Sequence, residues 1–399
     1  TYAISALSRQ TATAVDAGEK PSVPGAIAKY QATEMSREII KDAMDIHGGK
    51  GIILGPKNYL GRAWQGAPIW ITVEGANILT RSMMIFGQGA IRCHPYVLQE
   101  MQALEIADDE ERLNTFDRLL FSHIGHSISN AARSMVLGLS FGGFVAVPGD
   151  RKTKAYYRKL SRYSAAFSFM SDITMLTYGG KLKQKEKISG RLADVLGQLY
   201  ICSAMMRRFE HDNRPAADQP ILAWAFHDAI YKIQHAMRGV IDNYPIRWAR
   251  PLLRFVIFPL GRIERAPNDR LGHKVAALML SPSETRTRLT RGIYRSDRTG
   301  QTIGVLEALL PDVIASEPIE RKLLKALKSG EISGYTFDEQ LADAREKGIL
   351  NEQEADLMAD VRHRSLEIVS VDDFELATLQ AGLTRMGDEI RQGKSQQAA

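Results

Sequence analysis

The chain has 399 residues, 52 Lys and Arg against 46 Asp and Glu, a formal charge of +6 and 44% hydrophobic residues, the make-up of an ordinary globular protein. With 32 Gly, 15 Pro and only Cys93 and Cys202, it is not collagenous, disordered or built on a disulfide framework. The longest uncharged run, 134–149, is broken by glycine and proline and falls short of the ~20 apolar residues that cross a bilayer, so no transmembrane helix is expected. Position 1 is not Met, no leader pattern follows, and Thr1-Tyr2 opens directly into helical spacing. The expectation is a chain that begins inside a longer protein.

In chain order, Ala28, Ala32, Met35, Ile39, Ala43 and Ile46 recur every three or four residues and stop at Gly48-Gly49. That spacing predicts a helix packed on one face and ended by a glycine cap. Glu74 follows a run of uncharged, mostly apolar residues and precedes an apolar helix carrying Ile78, Leu79, Met83, Met84, Ile85 and Phe86. After the acids Asp108 to Glu111, suited to a helix start, Leu113, Phe116, Leu120, Ile124, Ile128, Ala131, Met135 and Leu139 mark a second long helix ending near Gly142-Gly143. Further helical patterns cover roughly 151–178, 183–211, 219–242 and 303–328, and short helices fill the tail. Sustained period-2 strands are absent, so the expected class is all-α, a helical bundle followed by a second, mostly helical domain. Residues 311–399 carry 18 acids against 11 bases, which leaves +13 on residues 1–310. The basic charge is densest between Tyr244 and Arg295, with ten Arg and one Lys against three acids, a surface suited to an anionic partner.

Two positions stand out chemically. At 45–51 a helix ends in Gly48-Gly49-Lys50-Gly51, where absent Cβ atoms let the backbone approach a phosphate or ribose, although neither a P-loop nor the dinucleotide fingerprint is present. A plain helix cap explains the same residues. At Glu74, desolvation raises a carboxyl's pKa and a helix N-terminus lowers it, opposed effects that leave a tunable base able to remove a proton next to a carbonyl. The alternative is a carboxylate capping the helix that starts near Ala76.

Other signals carry less. Gly138-Leu139-Ser140-Phe141-Gly142 fits the spacing of a nucleophile elbow but follows a helix rather than a strand. His123 and His126 lack an evident third ligand, so no metal is assigned and they read as packing or surface histidines. Cys93 and Cys202 lack a partner motif and are assigned no chemistry. Residues 244–262 mix Arg with Trp, Phe, Leu and three prolines. They read either as an extended strap with solvated or paired arginines or as a contact with an anionic membrane surface. Nucleic acid is not expected, because no binding motif accompanies the charge.

Gly48-Gly49-x-Gly51, a loop with Arg62, then Thr72-Val73-Glu74-Gly75-Ala76-Asn77-Ile78-Leu79-Thr80-Arg81 through Ile91-Arg92-Cys93-His94-Pro95 resemble acyl-coenzyme A dehydrogenases, in particular the large bacterial fatty-acyl-CoA dehydrogenases. Residues 1–105 are similar to part of the family's C-terminal helical bundle, its second half, and 106–399 to the bacterial-type C-terminal extension. The resemblance implies an FAD enzyme of fatty-acid β-oxidation that introduces an α,β double bond into medium- to long-chain acyl-CoA. It implies Glu74 as the α-proton base, and contacts to FAD across a subunit interface at Asp45, Gly48 and Gly49. Asp45 replaces the family's usual glutamine, and Ala76 replaces its threonine, so a contact there falls to the backbone or to Asn77. The family's N-terminal helical and β domains, which hold most of the flavin, are not in these residues, so the chain by itself is expected to be inactive. The implied partners are an electron-transferring flavoprotein or related acceptor and a second subunit in a homodimer, and the expected place is the cytoplasm, or the inner face of the cell membrane. The reading from another class is a non-catalytic helical module that docks on a membrane or a protein. The two diverge at Glu74, which an enzyme needs facing a cleft and a docking module leaves as a solvated cap.

Overall fold

A computed structural model describes residues 1–294, 302–382 and 384–385; Arg295 and the last acidic residues lie outside them. The described residues are helical throughout and contain no strand. They form two compact units, one of residues 1–36 and 68–292, the other of 37–67 and 293–399. The first unit thus combines residues from both sides of position 105.

The first unit is built around the helix Glu186–His211. Ile188, Leu192, Val195, Leu199, Cys202, Met205 and Phe209 are buried along one side of it and Ala193, Ile201 and Ala204 on the other, so buried positions run around the whole circumference, and a helix apolar all round must be covered on every side. Helices Tyr2–Asp16, Lys154–Tyr178 and Gln219–Asp242 pack against it, together with the segment Thr80–Gln88. Cys202 is wholly enclosed and burial pushes its thiol up, which removes it from thiolate chemistry. Helix boundaries follow the sequence pattern closely, at Lys154–Tyr178, Glu186–His211, Gln219–Asp242 and Thr302–Ser329.

Two predicted faces are corrected. The helix Ser22–His47 ends at Gly48 as expected, with φ +55°. It buries Val23, Ile27 and Gln31, however, and leaves Ile39 and Ile46 exposed. The helix Asp109–Leu139 starts as expected, the Asp108 carboxylate accepting from the Glu111 N–H at 2.7 Å. Its buried positions are Leu119, Asn130, Ser134, Leu137 and Gly138, while Leu113, Ile124, Ile128 and Leu139 from the apolar stripe are exposed. A polar face turns inward there because partners on other helices satisfy it. Ser140 sits at the helix end, bonded back to the Val136 carbonyl at 2.8 Å, and Phe141 and Gly142 have positive φ; the elbow-like pentapeptide is a helix terminus.

In the second unit, the helices Thr302–Ser329, Phe337–Glu346 and Glu352–Val369 enclose Leu323, Ala326, Leu341, Ala344, Leu350 and Met358. Reciprocal capping boxes, Thr336 with Glu339 and Asn351 with Glu354, fix the starts of the last two.

A strap, 258–268, crosses the first unit's helices and is tied down by Glu264. This buried carboxylate receives Lys159 Nζ at 2.5 Å and the Tyr163 hydroxyl at 3.4 Å, with Arg162 Nη1 4.0 Å away. Its backbone exchanges two bonds with the Gln234 amide, at 3.0 and 3.1 Å. Glu264→Ala leaves the buried Arg162 without its carboxylate, and breaking such a pair costs about 3–5 kcal/mol. Chemical denaturation should therefore show an unfolding free energy smaller by that amount, read as a lower midpoint at an unchanged slope.

Candidate functional site

Glu74 lies on a turn that the backbone holds in a left-handed conformation, with φ +54° at Glu74 and +98° at Gly75. The left-handed region is costly for a residue with a Cβ, by roughly 1–2 kcal/mol, and persists where surrounding bonds over-determine it. Those bonds come from the buried Asn77. Its amide nitrogen donates to Thr33 Oγ1 at 2.9 Å and Glu34 Oε1 at 2.8 Å, and its Oδ1 accepts from Lys29 Nζ at 2.7 Å. The same ammonium donates to the Gly75 carbonyl at 2.6 Å. A side chain at Gly75 would meet both the positive φ and Thr80 Oγ1 at 3.3 Å. Beyond the turn the chain runs as Asn77–Leu79, then Thr80–Gln88 in the wider π form, then Gly89–Cys93. Such widened turns are rare and frequent at functional sites. Arg81 on this segment grips Asp194 of the central helix through Nε at 2.8 Å and through Nη2.

The result is a carboxylate displayed outward. Glu74 is exposed, and neither its side chain nor its N–H has a hydrogen-bond partner among the described residues. It does not cap the following helix, whose N-cap position is Ala76 without a side-chain cap bond. Glu74 is in the lining of none of the three best-formed cavities of the described residues. Its surroundings along the chain are instead exposed apolar side chains, Trp70, Val73, Ile78 and Leu79.

The glycine turn belongs to the second unit. Gly48 and Gly49 are exposed, and a Cβ added at Gly48 would meet no atom within 4 Å, so the turn leaves open space against its backbone. Asp45 is exposed beside it. Behind the turn, buried Lys50 donates to the Ile368 carbonyl. Burial and the nearby Lys57 lower its pKa. The Lys57 N–H donates to Asp372 Oδ1 at 2.9 Å.

A third cluster was not read from the sequence. His94, His123, His126, Glu100 and Asp172 converge in the first unit, one ligand atom each of His94, His126 and Asp172 lying within 4.8 Å of one another. His94 Nδ1 accepts from the Tyr96 and Val97 N–H groups, both at 3.2 Å, so its proton is on Nε2, which donates to Asp172 Oδ1 at 2.9 Å. A nitrogen holding that proton has no lone pair for a metal, and the geometry favours a hydrogen-bonded hub. Asp172 also accepts from Ser127 Oγ at 2.5 Å. His123 stands between carboxylates, Nδ1 2.8 Å from Glu100 and Nε2 3.7 Å from Asp172. His126 Nε2 accepts from the Asn130 amide at 2.9 Å and lies 3.1 Å from Ser168 Oγ. The hub borders a cavity of about 1020 Å³ whose wall includes Ser161, Ser164, Ser168 and Ser171 from one helix; Glu74 is not in its lining. The signal that could have revealed it is that serine stripe, stepping by 3, 4 and 3.

Burial raises the pKa of Asp172, but hydrogen bonds from His94 and Ser127 with the neighbouring imidazoles outweigh it and hold the carboxyl below its ordinary value. Burial lowers the pKa of His126. A depressed carboxyl contributes stability that is present above its unfolded pKa and lost as pH falls through the folded one; a depressed imidazole costs stability once pH falls below its unfolded value near 6.5. Both act in the same direction. Melting temperature should fall between pH 7.5 and pH 5, less steeply in His126→Gln, and the further loss below about pH 4 should be smaller in Asp172→Asn than in wild type.

Residues 91–374 match the family described as acyl-CoA dehydrogenase, C-terminal, bacterial type, and residues 1–85 match the acyl-CoA dehydrogenase C-terminal domain. The chain belongs to the acyl-CoA dehydrogenase family. No solved structure matches it. Within that family the bacterial-type region includes the histidine hub and the strap, whereas Glu74 and the glycine turn fall in the part matched by the general C-terminal domain.

Proposed function

We propose that this chain supplies the base for flavin-dependent α,β-dehydrogenation of medium- to long-chain acyl-CoA thioesters, with Glu74 as that base. The observation that carries the reading is the pinned turn: a carboxylate and an N–H without partners among the described residues, on a turn held by Asn77 and Lys29 and flanked along the chain by exposed apolar side chains. Removal of the weakly acidic α-proton of a thioester needs a base in a dry site and donors on the developing enolate oxygen. Glu74 Oε takes the α-proton and its N–H supplies one donor. The exposed Trp70, Val73, Ile78 and Leu79 form the surface that another part of the assembly covers, excluding water.

FAD, when bound, accepts the β-hydride. The residues present fit it at the Gly48-Gly49 turn, where open space lies against exposed backbone, and do not fit its phosphates at Asp45, whose carboxylate repels them. Ala76 has no side-chain donor to offer it, and the Asn77 amide is committed to Thr33 and Glu34. On this reading the glycines would hold the cofactor of a neighbouring subunit in a homodimer, and the implied electron acceptor is an electron-transferring flavoprotein or a related protein.

In the flavin-loaded, full-length dehydrogenase, Glu74→Gln should slow anaerobic bleaching by a long-chain acyl-CoA by about 10²–10⁴ while FAD stays bound. Equal bleaching in both proteins would place the base elsewhere. Asn77→Ala removes the turn's bonds to Thr33 and Glu34 and one of its two bonds to Lys29, leaving the Lys29 bond to the Gly75 carbonyl in place. A stability loss of about 1–3 kcal/mol in denaturation, accompanied by slower bleaching at unchanged substrate affinity, would mark it as a positioning residue.

A further inference from the structure

The strap region separates its charges and its apolar groups in a way that only the fold reveals. Between Asn243 and Asn268 the chain has five arginines and one acid, Glu264. That acid is buried and bound to Lys159, so no carboxylate of the segment reaches the surface. Two arginines are consumed internally, Arg250 donating to the Tyr244 carbonyl at 2.7 Å and Arg254 to Asp242 at 2.8 Å. Arg247, Arg262 and Arg265 are exposed, and their guanidiniums have no hydrogen-bond or ion-pair partner among the described residues.

Between them lies the helix Ala249–Ile257, whose Pro251 sits in the first turn, where its missing N–H breaks no bond. Leu253 and Ile257 turn inward and are buried. Trp248, Leu252 and Phe255, spaced i, i+4 and i+7, turn outward on one face with exposures of 76%, 56% and 57%. Ile246 before them and Leu260 after them are exposed as well. A helix buried on one side by two large apolar residues and bare on the other with a Trp, a Leu and a Phe is apolar toward two environments. Arginines free of counter-charge flank the bare side.

We infer that this face, Ile246 to Arg265, is a docking site for an anionic lipid bilayer. Rings and aliphatic chains at the centre enter the headgroup–acyl boundary, and guanidiniums at the margin meet lipid phosphates. The charge complementarity decides against a neutral protein groove, and the outward Trp, Leu and Phe decide against nucleic acid, whose phosphates need only the arginines. The inference is independent of Glu74 and of flavin chemistry.

The test is flotation of the full chain with vesicles of phosphatidylglycerol and phosphatidylcholine in equal parts, and with phosphatidylcholine alone. Wild type should float with the anionic vesicles, weaken with added salt and float poorly with the neutral ones. The combined change Trp248→Ser, Leu252→Ser, Phe255→Ser should cut binding about tenfold or more, and Arg247→Gln, Arg262→Gln, Arg265→Gln about as much. All six positions are exposed, so an unchanged melting temperature verifies the fold. A blue shift of the intrinsic fluorescence on anionic vesicles, lost in Trp248→Phe, places that ring in the interface. Absence of flotation, or flotation indifferent to both sets of changes, overturns the inference. So does a change of self-association in sedimentation without a change in vesicle binding, which would assign the face to a second copy.

Discussion

The helix Glu186–His211 must be covered on all sides, and most of the first unit's arrangement follows from that requirement. Its apolar residues point in every direction, so no single neighbour suffices and several helices are drawn around it. The same helix reaches the candidate base. Asp194 on its half-exposed side receives the Arg81 fork, and Gly190 makes room for it, since a Cβ there would sit 3.2 Å from the guanidinium. The segment following Glu74 is thereby fixed to the most buried element of the unit, and Lys29, Thr33 and Glu34 fix the turn itself from a second helix. A strained backbone at Glu74 is sustainable because it is held from both sides.

Polar groups inside the unit are arranged as hubs around a carboxylate. Asp172 gathers His94 and Ser127, with His123 close by; Glu264 gathers Lys159 and Tyr163, with Arg162 close by. Each hub joins segments far apart in sequence, and each would be expensive if half satisfied. Their presence explains why the Asp109–Leu139 helix turns a polar face inward and an apolar one outward. Dispersion and area burial favour the opposite orientation, but three histidines and two carboxylates provide one another with partners only at the junction of several helices.

The two surfaces assigned roles share a physical theme. Around Glu74 and along 246–260, large apolar side chains remain exposed near charged groups that have no partner among the described residues. Apolar exposure of that kind marks surfaces that meet something else. The charge beside it differs in sign, a carboxylate at the first and guanidiniums at the second, which is why the first suits a proton-accepting role under a cover and the second an anionic bilayer.

Helix positions and their caps were legible in the sequence because the signals are local. Asp108 caps the helix it precedes, Gly48 ends the one it follows, and the 3.6-residue period locates the rest. Glu74 stood out in the sequence as a lone carboxylate among apolar residues, and the role proposed for it rests on the resemblance that neighbouring residues carry. The identity of the buried face was not legible. Ile39, Ile46, Ile124 and Ile128 have the spacing of a core stripe and lie outside, because burial depends on what packs opposite, and those partners belong to other elements of the chain. For the same reason His123 and His126 read as packing or surface residues until the fold placed Asp172 and His94 beside them, and the five arginines of 243–268 read alike until Asp242 and the Tyr244 carbonyl claimed two. The sequence by itself determined the helices, their ends and the family; the tertiary structure alone decided which side of each helix is inside and which charges remain unpaired, since both depend on long-range contacts that no local pattern encodes.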